Sequence, residues 1–318
     1  MSAIPTRYLG RSGLQVSQIG LGTNNFGIRL DLAGSRAVIE RALASGITLF
    51  DTADVYGGRG GSETILGEVL GTRRQQVVLA TKFGSPMDDT GALRGASRRY
   101  IVQAVEASLR RLRTDWIDLY QLHRPDPATP IDEALRALQD LVRAGKVRYI
   151  GASNLAGWQV VQAQHLAREL GAERFISSQD HYSLLTRDAE RELIPALQAY
   201  GVSLLPYFPL ESGLLTGKYA AGQPGPAGAR LSQGDARSAR FLQPLKLKQA
   251  AALQDLAQAR GHTLLELAVA WLLAQPVVGS VITGATSAAQ VDANVAAGSA
   301  WTLSAADLAD IDAVLKGE

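Results

Sequence analysis

Eight short apolar runs alternate with eight amphipathic stretches along this chain, and no other property of the sequence narrows its possible folds as far. The runs fall at 18–22, 47–51, 77–82, 116–122, 147–152, 175–179, 202–207 and 278–282. Most are apolar and rich in Val, Ile or Leu, the composition of strands covered on both faces, while 175–179 opens on Phe175-Ile176 and runs on into Ser177-Ser178-Gln179. The amphipathic stretches lie at 34–45, 62–70, 98–112, 131–144, 157–170, 188–199, 245–260 and 287–297. In 98–112, Ile101, Val105, Leu109 and Leu112 share one face, while Arg98, Arg110 and Arg111 fall elsewhere. Leu135, Leu138, Leu141 and Val142 repeat the pattern, and Gly145 closes that helix. Eightfold strand–helix alternation predicts an α/β protein, a (β/α)8 TIM barrel. The rival is an open doubly wound sheet, which carries Gly-x-Gly-x-x-Gly after its first strand; Ile19-Gly20-Leu21-Gly22-Thr23-Asn24 lacks the third glycine.

Three features decorate the repeat. Residues 7–19 read as an N-terminal β-hairpin around the turn formers Gly10-Arg11-Ser12-Gly13. Two helices, 263–275 and 304–315, stand outside the eight. A long segment, 208–244, follows the seventh strand and contains the turn-rich Gly222–Gly228, expected to be mobile. No linker or internal repeat divides the 318 residues, so residues 1–318 are expected to form a single domain. A net charge of +2 argues against nucleic acid or an anionic membrane as partner. The absence of cysteine excludes disulfides and thiolate chemistry. Met1–Arg7 shows no apolar signal region and no run approaches 18 apolar residues, so a cytoplasmic location is expected. No His, Asp or Glu cluster has metal-ligand spacing.

A barrel of parallel strands opens all its strand C-termini on one face, where the chemistry sits. Asp51 ends the second run, Lys82 the third and His123 the fourth, and Tyr56 follows Asp51 by one loop. Charges ending apolar strands are costly unless paired. A phenol is a poor proton donor at neutral pH, and a nearby ammonium is expected to lower its pKa. Lys82 could be that ammonium, with Asp51 keeping it charged and His123 orienting a carbonyl oxygen. Protonating a carbonyl oxygen is useful when hydride reaches its carbon. Side chains do not donate hydride, so a nicotinamide cofactor is implied.

At these residues the chain resembles the aldo-keto reductase superfamily over nearly its whole length, in particular its potassium-channel β-subunit-like branch. The resemblance rests on Gly20-Leu21-Gly22-Thr23, Leu49-Phe50-Asp51-Thr52-Ala53 with Tyr56-Gly57, Thr81-Lys82, Asp118–His123, Gly145–Asn154 and Leu214–Tyr219. It implies that Asp51, Tyr56, Lys82 and His123 are a catalytic tetrad. It further implies a dinucleotide bound across the C-terminal face, with Ser153, Asn154 and Gln179 on the carboxamide and Tyr207 stacked on the nicotinamide. Asp51 and the strand-one residues Gly22, Thr23 and Asn24 are expected beside it. Phe208, Pro209, Leu210, Ser212, Gly213 and Lys218 would face the pyrophosphate. Gly284, Thr286, Gln290 and Asn294 would receive the adenosine 2′-phosphate, where many relatives carry Lys or Arg, and Arg230 would reach over from the long segment. NADP(H) is the expected cofactor and NAD(H) the alternative.

Three functions are open at this point. The leading one is reduction of small aldehydes or ketones, or oxidation of the matching alcohols or sugars. The second is an NADP(H)-binding redox sensor or regulatory subunit, since Arg124-Pro125-Asp126-Pro127 and Thr129-Pro130 are shared with the channel β-subunits; the intact tetrad argues against a purely structural role. The third, a Schiff-base lyase on Lys82, needs a neutral lysine, which Asp51 opposes. His181 is expected to face the pocket, and Trp158 and Trp271 to pack between helices. The sequence names neither the substrate nor the oligomeric state.

Overall fold

The computed structural model describes residues 4–219, 225, 229–232, 234 and 236–317; the rest of the turn-rich stretch 222–228 lies outside the described residues. The chain opens with an antiparallel hairpin, β1 (Thr6–Tyr8) and β2 (Gln15–Ser17), paired Thr6 to Ser17. It then alternates β3 (Ile19–Gly22), α1 (Leu32–Ala44), β4 (Leu49–Asp51), α2 (Tyr56–Leu70), β5 (Val78–Phe83), α3 (Arg98–Leu112), β6 (Ile117–Leu122), α4 (Ile131–Arg143), β7 (Val147–Ser153), α5 (Gly157–Glu169), β8 (Ser177–His181), α6 (Leu193–Tyr200) and β9 (Ser203–Tyr207). After these come α7 (Ala236–Phe241), α8 (Pro244–Ala259), α9 (Leu264–Leu273), β10 (Val281–Gly284), α10 (Ala288–Ala300) and α11 (Ala305–Lys316).

The eight strands β3 to β10 form one parallel sheet in the order β10-β3-β4-β5-β6-β7-β8-β9. The ring closes through a parallel bridge between Leu204 and Val278. This is the expected (β/α)8 barrel. Leu49, Ala80, Leu119, Leu205 and Ile282 point into its lumen and pack with Leu9 and Val16 of the hairpin, which therefore plugs the end opposite the strand C-termini. Gly10 shows how tightly: at φ 55° its backbone lies so close to the carbonyls of Ile176 and Gly201 that a Cβ would fall 2.4 Å from the first. The larger apolar cluster fills the layer between strands and helices.

Two expectations need correction. Besides the short α7, the helices outside the ring are α8 and α11, which pack on each other, whereas 263–275 is the ring's own helix α9. The reason is apolar surface: Leu264, Leu267–Leu272 of α9 are buried, but only Ala250, Leu253 and Ala257 of α8 and Ile311 of α11. A helix apolar on every side belongs inside. Secondly, Trp158 is 60% exposed, while Trp271 is buried as expected. Among the described residues no helix is long and apolar enough to cross a membrane.

Candidate active site

The expected four residues converge. Asp51 is the last residue of β4, Lys82 lies at the end of β5, His123 follows β6, and Tyr56 opens α2. Lys82 is fully buried; its Nζ donates to Asp51 Oδ2 at 2.7 Å and to the Thr52 carbonyl at 2.8 Å. The same Nζ is 5.0 Å from the centre of the Tyr56 ring. The His123 ring stands edge-on to Tyr56, with centroids 5.8 Å apart. Asp51 Oδ1 accepts from Gln179 Nε2 at 2.8 Å and from Gln121 Nε2 at 3.4 Å.

Tyr56 is aimed by an unusual turn. Gly57, Gly58, Arg59 and Gly60 all have left-handed backbone, with φ of 72°, 73°, 69° and 118°. A Cβ on Gly57 would lie 2.3 Å from the Ser62 nitrogen and 2.7 Å from the Phe26 carbonyl, so only glycine fits there. The Ser62 hydroxyl then joins Thr23 and Thr52, locking the start of the regular helix to the ends of β3 and β4.

The electrostatics follow from burial and pairing. Burial works against the Lys82 charge, but the charges and hydrogen bonds of Asp51 and Tyr56 outweigh it, and its pKa is raised. The Tyr56 phenol is also raised, first by burial, while Lys82 pulls it down by charge and a hydrogen bond. The expected net lowering by Lys82 is thus corrected: desolvation wins. Burial, then Lys82 and Arg124, hold the His123 imidazole down at about 3, so the ring is neutral. Its Nδ1 lies 3.2 Å from Ser85 Oγ.

The expected cofactor residues form a second group on the same rim. Ser153 Oγ donates to the Gln179 carbonyl at 2.6 Å. Asn154 donates from Nδ2 to the His123 carbonyl at 3.0 Å and to Ser153 Oγ at 2.8 Å, and the Tyr207 hydroxyl donates to Asn154 Oδ1 at 2.8 Å. Gly22 ends β3, Asn24 is half-buried beyond it, and Thr23 is turned inward, donating to the Asp51 carbonyl at 3.0 Å. Thr23 therefore braces Asp51 rather than facing the rim.

Past β9, Phe208, Pro209, Leu210, Ser212 and Gly213 form an irregular turn, and Lys218 is exposed beyond it. The guanidinium of Arg230 lies over the Phe208 ring, 5.8 Å from its centre. Ser212 Oγ is buried with no partner among the described residues. An enclosed, unsatisfied hydroxyl beside a lysine and an arginine suits a phosphate-bearing group. At the end of β10, Gly284 is exposed, and Asn294 Nδ2 reaches its carbonyl at 3.5 Å. The Thr286 N–H and hydroxyl both donate to Gln290 Oε1, at 2.8 and 3.2 Å.

Sequence reasoning passed over four polar residues of this site. Asp180 accepts from Ser178 Oγ at 2.6 Å and from the Asn154 N–H at 3.0 Å, fixing Asn154 at φ 60°. Asp54 is buried, and neither side-chain oxygen has a close partner among the described residues; burial, then Glu63, raise its carboxyl to about 8. Ser85 faces His123. Glu211 is fully buried and paired with His181, Ser183 and Lys246; His181 lines a cavity of about 750 Å³ with Arg240 and Lys246. The available signal was a lone charge inside an apolar stretch, as in Phe208-Pro209-Leu210-Glu211.

The aldo/keto reductase family model matches residues 18–316. An uncharacterised oxidoreductase of Bacillus subtilis is 40% identical over 294 residues, 89% of this chain and 88% of that protein. A putative voltage-gated potassium channel subunit beta of Schizosaccharomyces pombe is 36% identical over 310 residues, 92% of this chain and 88% of its own. The L-glyceraldehyde 3-phosphate reductase of Escherichia coli K12 is 35% identical over 318 residues, 96% and 91% of the two chains.

Proposed function

The chain belongs to the aldo/keto reductase family, and from that premise we propose an NADP(H)-dependent oxidoreductase that reduces aldehydes or ketones, or oxidises the matching alcohols or sugars, with Tyr56 as general acid and base. The observation that carries this reading is the buried contact of Lys82 with Asp51 on one side and the Tyr56 ring on the other. A bound nicotinamide supplies or accepts the hydride. Ser153, Asn154, Gln179 and Tyr207 would hold it, and Ser212, Lys218 and Arg230 would meet its phosphates.

The chain's own part is the proton. At neutral pH Tyr56 keeps its proton, because burial raises its pKa. It is thus primed to protonate a carbonyl oxygen, the reducing direction. As the proton leaves, Lys82 faces the new phenolate, and Asp51 keeps Lys82 in place and charged. That stabilisation is aimed at charge present only as the reaction proceeds, which is what lowers a barrier. His123, neutral, has one N–H to offer; with the Ser85 hydroxyl donating to Nδ1, that N–H would sit on Nε2 and orient the carbonyl oxygen.

The test is oxidation of NADPH and of NADH with a panel of aldehydes, ketones and sugars, wild type against Tyr56→Phe. Turnover that collapses in the variant while dinucleotide still binds is the expected result. Tight binding without turnover on any carbonyl would instead assign a dinucleotide-sensing role, and no binding of either dinucleotide would end the proposal.

A further inference from the structure

Six described residues other than glycine have left-handed backbone, and three of them, Phe208, Glu211 and Ser212, at φ 50°, 48° and 56°, fall in the five residues after β9. Such a concentration of unfavourable backbone persists only where surroundings over-determine it. Short-range backbone bonds shape the turn: Glu211 N to the Phe208 carbonyl at 2.9 Å, Gly213 N to Leu210 at 2.7 Å. They do not anchor it to the barrel.

Glu211 does. It is fully buried, and three donors from outside the turn reach its carboxylate. Oε1 accepts from His181 Nε2 at the end of β8 and from Ser183 Oγ, both at 2.7 Å; Oε2 accepts from Lys246 Nζ of α8 at 2.5 Å. Lys246 is tied in turn to Thr186 Oγ1 at 2.9 Å. Burial opposes the charge, but His181, Lys246 and Ser183 hold the Glu211 carboxyl at about 2, so it is ionised throughout the neutral range. A carboxylate this deep is costly unless fully paired, and its pairing here is complete.

His181 links this anchor to the rim. Its ring stacks on Tyr207, centroids 5.5 Å apart and planes 18° apart, and meets Phe208 edge-on at 5.7 Å. One side chain thus braces the aromatic platform and the buried carboxylate together.

We infer that Glu211 is a positioning residue: its carboxylate ties the turn 208–213 to β8 and α8 and, through His181, sets that turn and the Tyr207 ring as one unit to receive the dinucleotide. This rests on the reading above that the rim takes NADP(H). Glu211 touches neither substrate nor reacting atoms; it acts through the turn it holds.

Two readouts test it. The first needs no cofactor: hydrogen exchange across 208–219 in the free protein. Glu211→Gln is expected to speed exchange there at least tenfold, while the peptides of β4, β5 and β6 keep wild-type rates. The second is NADPH titration: Kd should weaken at least tenfold, with kcat at saturating NADPH falling less than threefold. Lys246→Met, which removes the outer donor, should do the same in smaller measure, and Lys246→Arg should restore both. If Glu211→Gln does not fold, Lys246→Met and Lys246→Arg decide the matter. Wild-type exchange in 208–219, or faster exchange with an unchanged Kd, would overturn the inference. Should the wild type bind neither dinucleotide, the reading of the rim fails, and exchange alone then reports whether Glu211 anchors the turn.

Discussion

The ends of β4, β5 and β6 and the ends of β9 and β10 lie on one rim, but they are built from opposite materials. On the first side the working groups are side chains, and each is fixed by another. Lys82 is clamped between Asp51 and the Thr52 carbonyl, Asp51 between Lys82 and Gln179, and His123 sits beside Ser85. On the second side the backbone is irregular, left-handed at Phe208, Glu211 and Ser212, and Lys218 is exposed. Under the proposed function, the difference is a division of labour. Proton transfer needs charges held dry and still. A long, phosphate-bearing ligand needs polar groups presented along an open edge, and the protein's own strain there is held from below, by Glu211.

The sharpest way to break the comparison is Tyr56→Phe. Under the proposed function, kcat falls by about 10³-fold, the worth of a positioned general acid, and the Kd for NADPH stays within about twofold because the lost hydroxyl contributes chemistry rather than binding. Steady-state kinetics with a parallel fluorescence titration measures both. Losses of equal size in kcat and Kd would erase the distinction between the two sides.

Stability should separate them next. Lys82→Met leaves the Asp51 carboxylate buried without its cation, a loss of about 3–5 kcal/mol. Lys218→Met removes an exposed cation and should cost under about 0.5 kcal/mol, while weakening NADPH by about tenfold through one lost charge-assisted contact. Urea unfolding of the two variants is the check. Equal destabilisation would show the second side to be as buried, energetically, as the first.

Titration sharpens the contrast further. The Asp54 carboxyl, ordinarily at 3.8, is raised to about 8, so between those values the folded chain holds a proton that the unfolded chain has lost, and stability falls as pH rises. His123 acts oppositely: lowered from 6.5 to about 3, it favours the folded state above 6.5 and loses that contribution as pH falls toward 3. On the other side Glu211, lowered to about 2, is ionised in both states above its ordinary 4.5 and adds no slope there. Asp54→Asn should therefore gain on wild type progressively from pH 5 to pH 8 in thermal unfolding. A constant difference across that range would mean the wild-type carboxyl is not protonated.

How legible each side was in the sequence has the same physical root. Asp51, Lys82 and His123 stood out because a charge or imidazole ending an apolar strand is expensive, and strand ends are brought together by the barrel itself. The strands were readable as short apolar runs and α3 from its helical period, α3 to the residue. Glu211 carried only the weaker mark of a lone charge after an apolar stretch, and Asp180 carried none, because the value of both depends on partners brought in by tertiary folding. The left-handed run Gly57–Gly60 could be read as glycine-rich but not as the device that aims Tyr56. The place of α9 in the ring is legible too: Leu264-Leu265-Glu266-Leu267-Ala268-Val269-Ala270-Trp271-Leu272-Leu273 is apolar almost all round, the mark of a helix buried in the ring rather than laid over it.

The smallest expected effect concerns the far end of the second side. The Thr286 N–H and hydroxyl are both directed at Gln290 Oε1, so the amide oxygen occupies the donors that a 2′-phosphate would otherwise meet. Replacing Gln290 by glutamate keeps the size of that acceptor and adds a negative charge in solvent. A like charge at contact distance in water is worth about 1 kcal/mol, so Gln290→Glu should weaken NADPH by about fivefold and leave NADH unchanged. Because the site is exposed, the penalty should shrink as salt is raised from about 0.01 M to 1 M. Loss of both dinucleotides in equal measure would instead place the 2′-phosphate elsewhere on the rim, with Arg230 as the next residue to vary.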